Sequence, residues 1–472
     1  MSTVVHEPRM ESRSASRFSG RRVHFIGIGG CGMSGLARML LDKGATVTGS
    51  EPNPNPQTFD LTARGARISR DQHGALIDPS TDLVVRTAAV PDSNFEYRAA
   101  VAHGIETIKY AELLGQVMAE AHGVAVAGTH GKSTTTAMIA YAMERCGADP
   151  SFVVGGTVPQ LGGAGSRSGA SNLFVAEACE FDRSFHHLRP KVAILTNIEE
   201  DHLDCYKDIF QIIESFRTFA NLVPHDGVIL ANGRDANVAL AVKDVRARVE
   251  TVSLAPGATW STTPTGLGAN GCPTGTIARD GKPVATLNLS LAGEHNLYNA
   301  TVAVAACAAC GLDPTEAAAA LSDFTGVDRR MTLMGSYNGA QVVDDYGHHP
   351  TEIRATLGAL RERYNPQRLI CVFQPHQHSR TRFLLEDFAA SFEQADETIV
   401  PDIYFVRDSE TERQKVSSAE LVERINHNGH RALHLAKFEW IVDHLRRNVR
   451  AGDLVVTMGA GNVWEIGRDL VS

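Results

Sequence analysis

Short apolar runs of strand length alternate with helix-length segments along most of this chain. The runs are RVHFIGI, ATVTGS, LVVRTA, VAVAG, LFVAEA, VAILTN, GVILAN, LICVFQ, ETIVPDI and DLVVTMG. Buried parallel strands read as continuous apolar runs and are usually joined by helices. The alternation therefore predicts an α/β fold with parallel sheets. At 472 residues the chain exceeds the size of a single core, so several domains are expected.

Shifts in composition predict where these domains begin and end. Residues 1–20 are polar and rich in Arg and Ser, which is typical of a disordered tail. A helix-like segment near residue 110 and the turn FTGVDRR near residue 327 separate the rest into domains at 21–110, 111–327 and 328–472. The Gly/Thr/Pro-rich stretch between about 250 and 290 predicts an antiparallel insert in the second domain.

Charge and composition exclude several classes of protein. The net charge of −9 argues against a nucleic-acid-binding surface, which is usually basic. No apolar run approaches the roughly 18 residues of a membrane span, and the amino terminus lacks a secretory signal. We therefore expect a cytoplasmic protein with eight reduced cysteines. Cys307 and Cys310 have CxxC spacing, but their alanine-rich setting predicts core packing on one helix rather than a redox or metal site.

The first glycine cluster, GIGGCGMSG, follows the first apolar run. Gly27, Gly29 and Gly32 have GxGxxG spacing, and Glu51 follows a second strand nineteen residues after Gly32. Such glycines let the backbone approach a pyrophosphate at a helix N-terminus, and the acidic residue suits a ribose. The motif predicts a bound nucleotide diphosphate, with NAD and a purely structural glycine turn as alternatives.

A second loop, GTHGKS, follows the run VAVAG and precedes a helical stretch. Its backbone N–H groups can hold phosphate oxygens, Lys132 can contact the β and γ oxygens, and Ser133 can bind Mg²⁺. The usual first glycine of such a loop is replaced by Val126, so the loop is shorter than in most P-loop proteins. We interpret the loop as an ATP site.

Polar clusters follow several other apolar runs, where α/β folds bind ligands. Carboxylates that suit Mg²⁺ stand in LFVAEACEFDRSF and VAILTNIEEDHLDCY, including Glu177. His295 and Asn296 in GEHNLYN can bond a purine edge, and helix capping would also explain an asparagine there. Further clusters are Arg329-Arg330, VVDDYGHHPTEI and FQPHQHSRTRF. The adjacent histidines His348 and His349 could bind zinc, but no third ligand has suitable spacing.

Taken together, these motifs resemble those of the Mur ligase family from about Val23 to the C-terminal GAGNVWEIGRDL. The combination of the GTHGK loop, EHNLYN and DDYGHHPTE is similar to the branch that adds alanine. The resemblance implies a Rossmann-like UDP-binding domain, a central P-loop-type ATPase domain and a C-terminal Rossmann-like domain. It further implies ATP-dependent ligation of L-alanine to the lactyl carboxylate of UDP-N-acetylmuramate through an acyl phosphate, in peptidoglycan precursor synthesis, with Mg²⁺ or Mn²⁺. A monomer or homodimer is expected.

The resemblance also implies roles for individual residues. UDP-sugar binding is expected of Gly27, Gly29, Gly30, Gly32, Glu51, Thr87 and His130. ATP binding is expected of Gly128, Thr129, Gly131, Lys132, Ser133, Thr134, His295, Asn296, Arg330 and Asp345. Metal binding is expected of Ser133, Glu177 and His202, and amino-acid binding of Tyr346, His348, His376 and Arg380. Catalysis is expected to depend on Lys132, Glu177, His202 and Arg330, with His348 or His376 as the base.

The chain departs from the family pattern in three places. The usual PHRYTRTR reads PHQHSRTR, so Gln377 replaces an arginine and His378 a tyrosine. The usual Ser-Ser-Ala reads RTAAVP, which leaves Thr87 as the hydroxyl. ESFRTFAN lacks the lysine that later ligases carbamylate, as expected for the alanine branch. Three alternatives remain: a ligase that recycles murein tripeptide, an NAD-dependent oxidoreductase, and a non-enzymatic ATP-binding regulator.

Overall fold

The computed structural model describes residues 16–87 and 89–472. The described residues form two compact units, one comprising residues 16–120 with 166–168, the other residues 121–165 with 169–472. None of the helices in the described residues combines the length and hydrophobicity that a membrane crossing requires.

The first unit contains a five-stranded parallel sheet in the order β3-β2-β1-β4-β5. Its strands are β1 (Arg22–Ile26), β2 (Thr46–Ser50), β3 (Arg67–Ser69), β4 (Leu83–Arg86) and β5 (Thr107–Lys109). Its helices are α1 (Cys31–Asp42), α2 (Pro56–Ala63), α3 (Phe95–Ala102) and α4 (Tyr110–Met118). The strand order reverses between β1 and β4, and open α/β sheets bind ligands in the crevice at such a point. The predicted Gly27–Gly32 turn and Thr87 follow these two strands.

The predicted disordered tail is too long at its carboxyl end. Residues 1–15 lie outside the described residues, but Phe18 is fully buried. Ser16 and the Arg17 backbone N–H both donate to the Glu120 carboxylate, at 2.9 and 3.0 Å. Burial of one aromatic ring and two bonds to a carboxylate offset the cost of ordering this short segment. Residues 16–20 therefore belong to the folded unit.

A ten-stranded central sheet, in the second unit apart from the last two residues of β8, has the order β15-β14-β13-β12-β11-β10-β6-β9-β7-β8. Its strands are β6 (His122–Ala127), β7 (Ser151–Val158), β8 (Ala164–Arg167), β9 (Leu173–Glu177), β10 (Val192–Leu195), β11 (Val228–Asn232), β12 (Arg248–Ser253), β13 (Trp260–Leu267), β14 (Pro273–Arg279) and β15 (Lys282–Asn288). Its helices are α5 (Lys132–Arg145), α6 (Ile209–Ala220), α7 (Ala236–Ala241), α8 (Glu294–Ala309) and α9 (Pro314–Leu321), with 3₁₀ turns at Pro159–Leu161 and Phe181–His187. The last three strands pair antiparallel, which confirms the predicted insert.

The same unit contains a six-stranded C-terminal sheet in the order β16-β17-β21-β18-β19-β20. Its strands are β16 (Thr332–Tyr337), β17 (Ala340–Asp345), β18 (Arg368–Phe373), β19 (Glu397–Val400), β20 (Ala432–His434) and β21 (Asp453–Met458). Its helices are α10 (Pro350–Tyr364), α11 (His378–Phe383), α12 (Leu385–Ala389), α13 (Glu410–Arg413), α14 (Ser418–His427), α15 (Phe438–Asn448) and α16 (Trp464–Val471). Only the pairing of β16 with β17 is antiparallel among the pairings in this described sheet.

The predicted α/β class is confirmed, because all ten apolar runs contain strands. Each of the three sheets also lies inside one predicted domain, although the domain boundaries themselves stay predictions. The CxxC pair lies at the end of α8, where Cys307 is buried and both thiols are unoxidised. Burial raises the pKa of Cys310 to about 12, which fits packing rather than redox chemistry.

A cluster of charged side chains joins the central and C-terminal sheets. The His130 ring lies between two carboxylates, with Nδ1 3.3 Å from Glu352 Oε1 and Nε2 3.5 Å from Glu199 Oε2. The Thr351 hydroxyl donates to Glu199 at 2.6 Å. Burial lowers the pKa of His130, but the two carboxylates raise it more, to about 9. His130 is therefore an imidazolium at neutral pH and stabilises the contact between the two sheets.

Replacing His130 with Asn should lower the thermal midpoint of unfolding in a pH-dependent manner. The folded-state pKa lies above the usual 6.5, so the stabilisation is complete below pH 6.5 and is lost as the pH rises through 9. The shift corresponds to roughly 3 kcal/mol near pH 6. The measurement is the difference in midpoint between parent and variant at pH 6.5 and at pH 9.5.

His434→Asn is the matched control, because His434 is an ion-paired histidine near the surface, 2.9 Å from Asp402. Its midpoint should stay within a degree or so of the parent's at both pH values, as for most surface pairs. A His130→Asn difference of the same size at pH 6.5 and 9.5 would show that packing, not charge, explains the effect.

Candidate active site

The GTHGKS loop connects β6 to α5 in a conformation that requires its glycines. Gly128 has φ of 147°, and a Cβ there would lie 1.9 Å from the Thr196 hydroxyl. Gly131 has φ of 81° and precedes the first turn of α5. No side chain caps this helix in the described structure, so its first backbone N–H groups are available to an anion. The loop thus presents backbone N–H groups that an anion can reach, despite the valine at position 126.

The side chain of Lys132 folds back onto the backbone of this loop. Its ammonium donates to the carbonyls of Gly128 and Thr129 at 2.6 and 3.1 Å and to Glu180 Oε1 at 2.9 Å. Burial lowers the pKa of Lys132, but the negative charge of Glu180 raises it more, so the pKa lies above its usual value. A fully charged lysine is therefore held at the point where phosphate oxygens would enter.

A cavity of about 740 Å³ opens beside the loop in the second unit. It brings together all of the predicted metal-binding and amino-acid-binding residues. Its lining includes Thr129, Gly131, Lys132, Ser133, Glu177, His202, Arg330, Tyr346, His348, His376 and Arg380. Residues that are up to about 250 positions apart in the sequence thus face one space, as the sequence predicted.

The proposed metal ligands lie on the central-sheet side of this cavity. Glu177 ends β9 and accepts a short hydrogen bond from the Gly155 N–H. His202 Nε2 lies 3.7 Å from Glu180 Oε1, and Glu180 Oε2 is buried without a hydrogen-bond partner among the described residues. The Ser133 hydroxyl, the Glu177 carboxylate and the His202 imidazole line this cavity and are donors that fit a divalent cation. The sequence places Glu180 in an acidic cluster that suits Mg²⁺, and the structure puts its carboxylate beside Lys132 and His202.

A smaller pocket of about 180 Å³ lies on the other side of the loop. Its lining includes His130, Gly131, Thr134, His295, Asn296, Arg330 and Asp345, which are predicted ATP residues except for His130. Burial lowers the pKa of His295 to about 4 and raises the pKa of Asp345 to about 6. The Asp345 carboxylate accepts from the backbone N–H groups of Met331 and Gly347, at 2.9 and 2.7 Å. The pocket thus offers neutral and acidic hydrogen-bonding groups of the kind that a nucleoside requires.

Two histidines of the large cavity, His348 and His376, are neutral at physiological pH. Burial lowers the pKa of His348 to about 4 and that of His376 to about 3. His348 Nδ1 contacts the Tyr346 carbonyl at 3.1 Å and must donate to it, so its proton is on Nδ1. Arg380 donates to His376 Nδ1 at 3.3 Å, so the His376 proton is on Nε2. Of these two rings, His348 therefore keeps an open lone pair, on Nε2, whereas the lone pair of His376 is occupied.

Arg380 is held on the wall of the cavity by Asp201. Its Nε donates to Asp201 Oδ1 at 2.9 Å, and both side chains are buried. Burial raises the pKa of Asp201, but Arg380 and the nearby histidines lower it far more, well below its usual value. Asp201, like Glu180, stood in an acidic cluster of the sequence, but its partner could not be read there.

The adjacent histidines His348 and His349 face different surroundings. The His349 ring packs 4.5 Å from that of His130. Ligand atoms of His130, Glu199 and His349 lie within 4.8 Å of one another, which is the one metal-like group of three among the described residues. A metal there would have to displace a proton from the His130 imidazolium, so an ion-pair cluster explains this group better than a zinc site.

The remaining predicted residues lie in the first unit, apart from His130. Gly29 N–H donates to Glu51 at 3.2 Å, and a Cβ on Gly29 would lie 2.7 Å from that carboxylate. Gly27 has φ of 77°, and Gly30 precedes α1, again with no side-chain cap in the described structure. The Glu51 carboxylate thus accepts a hydrogen bond that stabilises the glycine turn, and the sequence did not predict this role. The UDP-sugar roles of these residues and of Thr87 stay predictions.

Family models match almost the whole chain. Those described as "Mur ligase family, catalytic domain", "Mur ligase middle domain" and "Mur ligase, glutamate ligase domain" match residues 22–122, 126–307 and 329–461.

Known proteins resemble the chain over the same length. UDP-N-acetylmuramate–L-alanine ligases of Caldanaerobacter subterraneus subsp. tengcongensis and Acetivibrio thermocellus are 43% and 42% identical, each over 95% of this chain and 96% and 95% of their own. The solved UDP-N-acetylmuramate–alanine ligase of Thermotoga maritima has a TM-score of 0.76 at 25% identity, over 95% of this chain and 98% of its own. A murein peptide ligase of Psychrobacter arcticus has a TM-score of 0.68 at 28% identity, over 96% and 98%. The chain belongs to the Mur ligase family.

Proposed function

We propose that this protein is the ATP-dependent ligase that joins L-alanine to the lactyl carboxylate of UDP-N-acetylmuramate. The observation that carries the proposal is the 740 Å³ cavity, where the phosphate loop, a metal-type ligand group and a basic, histidine-lined wall meet. Relatives that are about 40% identical over 95% of the chain bear the name of this activity.

The chemistry requires these three parts. A carboxylate is a poor electrophile, so it must first accept the γ-phosphoryl group of ATP and become an acyl phosphate. Lys132 and Arg330 stabilise the negative charge on the transferring group. Ser133, Glu177 and His202 would hold Mg²⁺, which neutralises phosphate charge when it is bound, and Mn²⁺ has a similar ligand preference. The amine of alanine then attacks the acyl carbon and phosphate leaves.

Lys132 must exchange one partner for another during this reaction. In the structure it is paired with Glu180 at 2.9 Å. Entering phosphate oxygens compete for the same ammonium, and a cation bound beside Glu177 and His202 gives Glu180 a new counter-charge nearby. The ion pair with Glu180 therefore keeps the Lys132 ammonium charged and in position until the nucleotide binds.

His348 is the better candidate for the base. Its Nδ1 proton is held by the Tyr346 carbonyl and its Nε2 lone pair is open, whereas His376 Nδ1 already accepts from Arg380. The attacking nitrogen becomes strongly acidic once it bonds to the acyl carbon, so an imidazole with a pKa of about 4 suffices to accept its proton. Glu352, 3.5 Å from His348 Nδ1, stabilises the imidazolium that forms.

The nucleotide and the sugar nucleotide occupy separate places in this proposal. ATP binds over the loop with its adenosine in the 180 Å³ pocket, near His295, Asn296 and Asp345. The UDP part binds at the glycine turn of the first unit, where the strand order reverses. The domains proposed are residues 21–110 for UDP-sugar, 111–327 for ATP and 328–472 for the amino acid.

Phosphate release tests the proposed substrate directly. With ATP, Mg²⁺ and UDP-N-acetylmuramate present, L-alanine should give faster turnover than glycine, L-serine or L-Ala-γ-D-Glu-meso-diaminopimelate. Activity with the tripeptide alone would instead assign the protein to the murein peptide ligases that it also resembles. Silence with all four acceptors would reject both assignments.

Lys132→Ala should abolish acyl-phosphate formation because the loop loses its cation, with a fall in rate of about 10³-fold or more. Trapping the acyl phosphate with hydroxylamine measures this step. Lys191→Ala is the control, because Lys191 is paired with Asp226 near the surface and should leave the rate unchanged. Binding of UDP-N-acetylmuramate should persist in the Lys132 variant, and unchanged trapping would contradict the role of the loop.

His348→Asn should slow amide formation by about 10²- to 10⁴-fold while acyl-phosphate trapping continues. His376→Asn should have a smaller effect on amide formation, because its lone pair is already occupied. Product analysis by mass spectrometry, run beside hydroxylamine trapping, separates the two steps. A larger loss in the His376 variant than in the His348 variant would reverse the assignment of the base.

A further inference from the structure

The incoming amino acid carries an α-carboxylate that does not react and needs a positive partner in the cavity. Five Lys and Arg side chains line the described cavity. Lys132 is paired with Glu180, Arg329 with Asp344, Arg330 with Glu352 and Arg380 with Asp201, at 2.9, 3.1, 3.8 and 2.9 Å. The fifth is Arg407.

Arg407 forms no hydrogen bond or ion pair with any described residue. Its guanidinium carbon lies 4.9 Å from the centre of the Phe181 ring, which belongs to the central-sheet side of the cavity. Phe181 in turn packs 5.2 Å from His202. Burial and the charges of His348 and Arg380 lower the pKa of His376, and the positive charge of Arg407 lowers it further. Its unbalanced charge therefore lies at the amino-acid end of the cavity.

The segment 404–408, which contains Arg407, is hydrogen-bonded to the residues at the start of α11. Tyr404 N–H donates to the Pro375 carbonyl at 2.8 Å, and Gln377 N–H donates to the Tyr404 carbonyl at 3.1 Å. The Ser379 hydroxyl donates to Asp408 at 2.6 Å. Because Tyr404 and Asp408, on either side of Arg407, are bonded to residues 375–379, Arg407 is held beside the helix that supplies Arg380.

Gln377 stands where the family pattern has an arginine. It is buried, with φ of 70°, at the position before α11. An uncharged amide there leaves the start of the helix without the guanidinium that the pattern PHRYTRTR supplies. Arg407 approaches the same helix from the neighbouring loop and restores a guanidinium to this end of the cavity.

We infer that Arg407 binds the α-carboxylate of the incoming amino acid and takes the place of the arginine that Gln377 lacks. This inference rests on the proposed ligase function. The guanidinium and the carboxylate form a charge-assisted pair, with Phe181 packed against the guanidinium. Arg407 thereby positions the amine for attack and selects acceptors that have a free carboxylate.

Steady-state kinetics of the full-length enzyme test this role. Arg407→Ala should raise KM for L-alanine by about tenfold to a hundredfold, with a smaller change in kcat. KM for ATP and for UDP-N-acetylmuramate should stay within about twofold, which also shows that the variant folds. Arg413→Ala is the matched control, because Arg413 lies on the following helix, exposed and paired with Glu410, and should leave all constants unchanged.

Two further measurements identify the carboxylate as the partner. The ratio of kcat/KM for L-alanine to kcat/KM for L-alaninamide should fall in Arg407→Ala by about the same factor as KM for L-alanine rises. Adding Gln377→Arg to Arg407→Ala should lower KM for L-alanine again by about tenfold. An unchanged KM for L-alanine in Arg407→Ala, or equal losses with L-alanine and L-alaninamide, would overturn the inference. A parent enzyme that does not use L-alanine would instead reject the proposed function.

Discussion

The active site depends on how the end of β10 holds the phosphate loop. Asn197 Oδ1 accepts from the His130 N–H at 2.7 Å, and the Thr196 hydroxyl donates to the His130 carbonyl at 2.8 Å. β6 lies between β9 and β10, so the loop, Glu177 and these two side chains meet at one edge of the sheet. Parallel pairing of three neighbouring strands thus places an anion site and a cation site side by side. A loop without the usual first glycine keeps its shape because its neighbours fix it.

Four of the five Lys and Arg side chains that line the described cavity are ion-paired before any substrate is present. Lys132 faces Glu180, Arg329 faces Asp344, and Arg380 faces Asp201. Buried ion pairs of this kind contribute little net stability, because desolvation offsets much of their attraction. Their value here is that each cation stays charged and oriented. In the proposed reaction, phosphate oxygens replace the protein carboxylate at Lys132, so that ATP binding exchanges one ion pair for another instead of burying an unpaired charge.

The sequence predicted the parts of the structure that depend on local pattern. Continuous apolar runs predicted ten of the strands, and the GxGxxG and GKS motifs predicted the two glycine-rich turns that follow β1 and β6. Each of these signals is contained in a few neighbouring residues. Strands with mixed polarity, such as β7 and β16, carry no such signal, and β16 is only partly buried. Glu180 and Asp201 were visible as acidic residues, but their partners lie 48 and 179 positions away. The segment 16–20 has a composition typical of disorder, but the buried ring of Phe18 anchors it to the folded unit.

Neither sheet of the second unit can form the site alone. The central sheet supplies the phosphate loop and the metal-type ligands, and the C-terminal sheet supplies Arg330, Tyr346 and the two histidines. Tyr346 and His348 follow β17, His376 follows β18, and β21 lies between these strands, so the second half of the site also gathers at one sheet edge. In the proposed reaction, an acyl phosphate made on the central side is therefore already next to the amine held on the other. Because both reacting groups are bound before attack, the entropy cost of bringing them together is met by binding, and water has less opportunity to compete.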